Sequence, residues 1–133
     1  MYALTMGTGM NVTAIDVCLT EAVVVVSVPY PNISETATTE PTADSLLIEC
    51  MPALNESSVS LVSEGDEAGL LLGVVSHMIS GETLYSVGCT TIFADGMPVQ
   101  RLTSVTGQNA LETLENAVGV TSSPSQTTVL TLG

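Results

Sequence analysis

The cysteine and histidine side chains of this sequence are the residues with the clearest potential for metal chemistry. Cys18, Cys50, Cys89 and His77 are all the Cys and His present, and Cys3His is an accepted tetrahedral zinc set. No two cysteines lie close enough in sequence to form a zinc knuckle, and His77 lies in an apolar run, where a structural histidine is the commoner case. Two interpretations therefore stay open: a zinc site on Cys18, Cys50, His77 and Cys89, or buried reduced thiols.

Catalysis fits the same residues less well. A Ser or Cys nucleophile would need His77 as its base, and nothing around Ser76 or Cys89 forms a nucleophile elbow. The acidic residues are dispersed among Thr and Ser, which is typical of a solvated surface rather than of an acid/base pair. We therefore expect that the protein is not an enzyme.

The charge of the chain excludes several partners. The net charge is −13, with no Lys and with Arg101 as the one basic residue. Such a chain repels a phosphate backbone and anionic lipids, and its longest apolar stretch, residues 22–29, is far shorter than the roughly 20 residues of a spanning helix. We expect no nucleic-acid binding and no stable membrane insertion, whereas a partner surface rich in Lys or Arg would be attracted.

The composition favours an all-β fold. Hydrophobic residues make up 45% of the chain but include one Phe and no Trp, and 11 Gly and 6 Pro are scattered throughout. Aliphatic and Thr-rich segments of this kind suit closely stacked strands. The length suits a single domain over residues 1–133, with residues 1–10 flexible and no fused effector domain.

One sequence pattern occurs twice. Residues 46–58 (LLIECMPALNESS) align without a gap onto residues 92–104 (IFADGMPVQRLTS), which indicates one supersecondary unit used more than once. Asp95-Gly96 between two extended segments predicts a hairpin turn with positive φ. Cys50 occupies the position of Gly96 in the other copy, where a side chain is unfavourable.

The remaining segments are predicted from their periodicity. Val23 to Val28 is continuous and β-branched, as in a strand buried on both faces. Asn109 and Glu112 resemble a capping box before an apolar stripe, which predicts one short helix over residues 110–118 that ends at Gly119. Further strands are predicted at residues 11–19 and 125–132. The length of the apolar run 70–79 would also suit a buried helix, but Gly73 and the β-branched pair favour a strand.

The ordered motifs resemble those of PAAR-like proteins, in particular the branch named for its Pro-Ile-Pro-Tyr motif. They run from residue 16 to about residue 130, nearly the whole chain. They are DVCLT at 16–20, VPYPN at 28–32, GDEAG at 65–69, GVVS at 73–76, TIF at 91–93, DGMPV at 95–99, Arg101 and TGQN at 106–109.

The resemblance implies a small β-rich cone and a mechanical role. PAAR-like proteins cap the VgrG-type trimeric β-helical spike of type VI secretion and related contractile injection systems. We therefore expect one cap per trimer, a secreted effector or its adaptor as second partner, assembly in the bacterial cytoplasm and injection at the tip of the machine. The alternative is a free-standing effector carrier with an acidic recruiting face and no spike contact.

The zinc site of conventional PAAR tips is not found in this sequence. Conventional PAAR tips hold zinc on three His and one Cys, whereas this chain has only His77. If zinc is bound, the residues available for it are Cys18, Cys50, His77 and Cys89.

Overall fold

Twelve β-strands and a single 3-10 turn, Thr36–Thr38, make up the fold in a computed structural model that describes residues 1–40 and 43–132. Eight strands form one curled antiparallel sheet in the order β3-β6-β8-β11-β12-β1-β2-β7, and β4-β5 and β9-β10 form two hairpins. The all-β prediction is confirmed. The strands are β1 (Met10–Glu21), β2 (Val25–Glu35), β3 (Thr39–Glu40), β4 (Ala43–Ile48), β5 (Met51–Ala53), β6 (Val59–Ser60), β7 (Ser63–Glu64), β8 (Glu82–Val87), β9 (Phe93–Ala94), β10 (Met97–Pro98), β11 (Val105–Ala110) and β12 (Ala117–Ser123).

The large sheet is polar inside and apolar outside. Asn11 lies opposite Ser34 and Thr121, and all three are buried. Their neighbours along the strands point outwards, because side chains alternate between the faces of a sheet. The register brings five aliphatic residues into one outward row, here named the outer row: Val87, Val105, Val120, Val12 and Ile33. Polar side chains on the buried face form hydrogen bonds with one another. For example, Asn11 Nδ2 donates to Tyr85 Oη at 3.0 Å.

The repeated sequence forms two equivalent corners. In the first, Ile48 pairs with Met51 around a two-residue turn, and in the second Ala94 pairs with Met97 in the same way. All four turn residues have positive φ: Glu49 53°, Cys50 62°, Asp95 51° and Gly96 79°. The hairpins predicted from the repeat are therefore present with the same register, and both turns have the left-handed geometry that favours glycine.

A third corner is assembled from the two ends of the chain. Tyr2 pairs with Leu130, and Thr131 N donates to Met1 O at 2.6 Å. Ala3 N donates to Val129 O at 3.1 Å, as Val99 N donates to Ile92 O at 3.0 Å in the second corner. Ala3, Leu4 and Thr5 are almost completely buried. The first residues, predicted to be flexible, are thus packed as the third copy of the corner.

The three corners meet in a closed ring of backbone hydrogen bonds, here named the ring. Leu4 N donates to Gln100 O at 2.9 Å, Gln100 N to Leu54 O at 2.8 Å, and Leu54 N to Leu4 O at 2.9 Å. A second set repeats the pattern outside it, with Thr5 bridged to Ala53, Asn55 to Val99, and Arg101 to Ala3. Each segment therefore contacts the next in the same way, and the molecule has quasi-threefold symmetry at this point.

The helix predicted over residues 110–118 is absent from this described part of the chain. Leu111 and Leu114 hydrogen-bond to each other across a turn, and β12 begins at Ala117, opposite Gln108. The burial of β12 alternates with the period of a strand. The prediction was wrong because Asn109, at φ 53°, turns its side chain into the interior instead of capping a helix.

Three strand predictions also need correction. Residues 23–28 are not buried on both faces, since Val23 is 102% exposed at the tip of the β1–β2 hairpin. Residues 70–79 form turns, with Leu72 at φ 75° and His77 at φ 57°. Within 125–132, pairing is limited to an isolated bridge at Leu130. The strand predicted at 11–19 is confirmed as part of β1.

Candidate functional site

The three corners present matching apolar side chains to solvent. Leu47, Phe93 and Leu130 occupy one set of equivalent positions and are 61%, 59% and 58% exposed. A second set, one residue beyond the turn, consists of Met51, Met97 and Met1, which are 45%, 42% and 52% exposed. The second set pairs with the residues that follow the first set, so it lies on the other side of each hairpin. We call the first set, Leu47, Phe93 and Leu130, the threefold apolar face.

Strand alternation explains why Leu47, Phe93 and Leu130 face outwards. Their neighbours Ile48, Ala94 and Thr131 are buried, because successive side chains of a strand point to opposite sides. Two of the corners also carry an acidic residue in the turn, Glu49 and Asp95, and both are exposed. The three corners therefore expose an apolar residue at the same position, and two of them also expose an acidic residue.

The four predicted zinc ligands are located in four different elements. Cys18 is buried in β1, Cys50 is exposed in the first corner, His77 is exposed in the loop after β7, and Cys89 is buried after β8. Within the described residues the structure does not gather three of them within 4.8 Å of one another. A site on Cys18, Cys50, His77 and Cys89 would need these elements to move.

The Cys18 thiol lies close to two carboxylates instead of to the other predicted ligands. Its Sγ lies 3.7 Å from Asp16 Oδ1 and 4.0 Å from Asp66 Oδ2. The potential ligand atoms of Asp16, Cys18 and Asp66 all lie within 4.8 Å of one another, and the three residues are fully buried. We call them the acidic thiol cluster. It differs from the predicted set and shares only Cys18 with it.

Local structure explains how the acidic thiol cluster forms. Asp16 and Cys18 are two residues apart on β1, so both side chains point to the same side. The pairing of β1 with β2 shifts register between Thr13 and Asp16. Asp66 comes from the loop after β7 and accepts a hydrogen bond from Ser80 N at 3.1 Å.

Amide side chains surround the two carboxylates. Asn32 Nδ2 donates to Asp16 Oδ2 at 2.9 Å, and Asn109 Nδ2 donates to Asp66 Oδ2 at 2.7 Å. Asn116 Nδ2 also donates to Asp16 Oδ1. These donors fix the carboxylates in place, as outer hydrogen bonds do around functional groups.

Burial controls the protonation of this cluster. It raises the pKa of the Cys18 thiol to about 12, with further contributions from the charges of Asp16 and Asp66. Burial also raises the pKa of Asp66. With these neighbours alone the thiol is protonated near neutral pH and is a poor nucleophile, since the thiolate is the reactive form.

Two of these features, the acidic thiol cluster and the third corner, were not predicted from the sequence, although each has a signal there. Asp16 and Cys18 at a spacing of two suggest one face of a strand, and Asp66 lies in the GDEAG motif. The third corner is visible as Met1, Ala3 and Leu4 beside Met51, Ala53 and Leu54. Because its other half lies at the opposite end of the chain, an alignment in linear order does not connect the two.

The chain was compared with known proteins. No curated protein and no solved structure matches it. None of the described residues forms a helix with the length and apolar character needed to cross a bilayer. The family model of the Toxin PAAR-like domain matches residues 9–115, which is most of the chain. The matched range contains the first two corners and the acidic thiol cluster, and the chain therefore belongs to the Toxin PAAR-like domain family.

Proposed function

We propose that this protein caps the end of a VgrG-type trimeric β-helical spike, with one copy bound per trimer. The observation that carries the proposal is the threefold apolar face. A trimer ends in three equivalent surfaces, and a single chain can contact all three in the same way only if it repeats its own surface three times. The corners at residues 46–55, 92–101 and 129–131 with 1–5 provide that repetition.

The chemistry of this face suits a permanent contact. Three large apolar side chains are exposed there, and burying one such side chain contributes about 1.5–3 kcal/mol. Edge strands of the hairpins can also extend the strand ends of a β-helix by strand addition. Glu49 and Asp95, exposed in the turns of two corners, favour a spike end that carries basic residues.

The proposed role is mechanical. In this proposal the protein belongs to the Pro-Ile-Pro-Tyr branch, sharpens the spike of a type VI secretion or related contractile injection system, and helps to load a secreted effector or its adaptor. It is assembled in the bacterial cytoplasm and leaves the cell at the tip of the machine. No catalytic step is proposed for it.

A second candidate function is a free-standing effector carrier. The outer row of aliphatic residues on the large sheet and the net charge of −13 favour it, because an apolar, acidic surface suits a basic protein cargo. Recovery of the spike separates the two candidates, since only the cap is expected to bring the spike with it.

The test compares glutamate substitutions inside and outside the threefold apolar face. Leu47→Glu, Phe93→Glu and Leu130→Glu should each weaken spike binding at least about tenfold, because each places a charge in an equivalent apolar contact. Val23→Glu is the matched control, since Val23 is an exposed aliphatic residue at the β1–β2 tip. Binding is measured with the purified cognate spike trimer, and native mass spectrometry gives the copies per trimer.

The proposal predicts one copy per trimer and similar losses for the three substitutions in the face. Three copies per trimer, or no binding by the unmodified protein, would overturn it. A loss with Val23→Glu but none with Phe93→Glu would move the contact to the hairpin tip and would remove the symmetry argument.

A further inference from the structure

The acidic thiol cluster concentrates acidic groups without a basic side chain. Asp16, Cys18 and Asp66 are fully buried, and their potential ligand atoms lie within 4.8 Å of one another. The chain has no Lys, and its single Arg, Arg101, lies next to the ring, where it is bridged to Ala3. Buried carboxylates are normally paired with a cation or coordinate a metal.

A second observation is independent of the acidic groups. Asn32 is fully buried, and its amide group lies against Asp16, to which its Nδ2 donates at 2.9 Å. The amide oxygen of the same side chain, Oδ1, is buried without a hydrogen-bond partner. An unsatisfied buried acceptor costs about 1–3 kcal/mol, so this oxygen, on a side chain that contacts Asp16, indicates a missing electron-pair acceptor.

We propose that Asp16, Cys18 and Asp66 bind a zinc ion, and that the Asn32 amide turns its Oδ1 towards the ion as the fourth ligand. The set is one sulfur and three oxygens. A thiolate selects a borderline-soft ion such as Zn²⁺ over Ca²⁺ or Mg²⁺, which prefer oxygen alone. This assignment is independent of spike binding and retains one residue, Cys18, of the set predicted from the sequence.

The distances suit a tetrahedral ion. With Zn–S near 2.3 Å and Zn–O near 2.0 Å, the sulfur and oxygen ligands of such an ion lie about 3.5 Å apart. Cys18 Sγ is 3.7 Å from Asp16 Oδ1 and 4.0 Å from Asp66 Oδ2, so small side-chain movements are enough. The outer hydrogen bonds are already in place, since Asn116 donates to Asp16 and Asn109 to Asp66.

The position of the site also defines how the metal would act. Cys18 belongs to β1 and Asp66 to the loop that follows β7, and Cys18 is bridged to Gly73 in that loop. A zinc ion would therefore tie this loop to the long β1–β2 hairpin. Because the site is closed to solvent, we expect the metal to enter during folding rather than to exchange with the folded protein.

The test refolds the protein with and without zinc. The full chain is unfolded in guanidinium chloride with a chelator and refolded with zinc sulfate, and bound zinc is measured by elemental analysis after gel filtration. We expect about one zinc per chain for the unmodified protein. Cys18→Ser and Asp66→Asn should lower the bound zinc at least about tenfold. Cys89→Ser is the matched control, because Cys89 is equally buried but lies outside the cluster.

Each result has a defined meaning. Equal zinc in Cys18→Ser and Cys89→Ser would show adventitious binding to surface carboxylates and would overturn the proposal, as would the absence of zinc from the unmodified protein. If Cys18→Ser does not fold, refolding the unmodified protein with Co²⁺ provides the readout. A thiolate-to-cobalt charge-transfer absorption in the near ultraviolet supports the site, and its absence overturns it.

Discussion

At the scale of single residues, the corners show what a two-residue turn requires. Each described turn places two residues at positive φ, and only one of the four, Gly96, is a glycine. A side chain in this region costs about 1–2 kcal/mol, so Glu49, Cys50 and Asp95 are held there by the pairing on either side. Asp95 is the best suited of them, because Asp tolerates this conformation better than most residues.

We predict that Cys50→Gly stabilises the protein and that Gly96→Cys destabilises it, each by about 1 kcal/mol. A Cβ at Gly96 would meet no atom within 4 Å, so the second change tests backbone strain without a steric clash. The measurement is the free energy of unfolding in urea. If Cys50→Gly destabilised the protein instead, Cys50 would have a role beyond the turn, such as the zinc ligand that the sequence suggested.

At the scale of elements, the ring holds the three corners together. Leu4, Leu54 and Gln100 occupy its three equivalent positions, and all are fully buried. Two of the three are leucine, and Leu4 and Leu54 pack in one cluster with Tyr85. Gln100 differs, because neither its Nε2 nor its Oε1 has a hydrogen-bond partner. A buried amide without partners opposes folding.

We predict that Gln100→Leu raises the free energy of unfolding by about 1–3 kcal/mol, the cost of an unsatisfied buried polar group. Leucine is the side chain that the other two positions of the ring already accommodate. Leu54→Gln is the matched reverse change and should destabilise by a similar or larger amount. A destabilising Gln100→Leu would mean that the amide is bonded, for example to buried water. Thermal and urea unfolding of the three proteins are compared.

The elements also show which parts of the fold could be read from the sequence. The first two corners were predictable, because they share one sequence pattern and the Asp-Gly of the second specifies its turn geometry. Residues 110–118 were not, since the spacing of Ala110, Leu111, Leu114 and Ala117 fits a helical stripe. The pairing of β12 with β11 and with β1 decides the outcome, and such tertiary pairing overrides local propensity. The acidic thiol cluster depends on the same kind of contact.

At the scale of the whole molecule, the third corner closes the quasi-threefold arrangement with the chain ends. Met1 N lies 3.0 Å from Thr131 O. In the other corners two residues separate the paired positions, Ile48 from Met51 and Ala94 from Met97. Residues 132 and 133 would separate Thr131 from Met1 by the same number if residue 133 were joined to residue 1. The three corners would then have equal connections.

We therefore predict that the chain can be opened at another corner. A permutant that begins at Met97, joins residue 133 directly to Met1 and ends at Gly96 should fold with a stability within about 1 kcal/mol of the original, because contacts are unchanged and one turn replaces another. Circular dichroism and urea unfolding check it. The control joins the same ends but opens β1 between Val12 and Thr13, in a strand paired on both sides.

The comparison of these two permutants tests the symmetry itself. Opening β1 interrupts the pairing with β2 and β12 and the outer row at Val12, so we expect that control to be unfolded or much less stable. If the permutant opened at Gly96 also failed, the three corners would not be equivalent in energy. A spike-binding assay on the folded permutant extends the argument, since a surface that is truly threefold should bind regardless of which corner contains the chain ends.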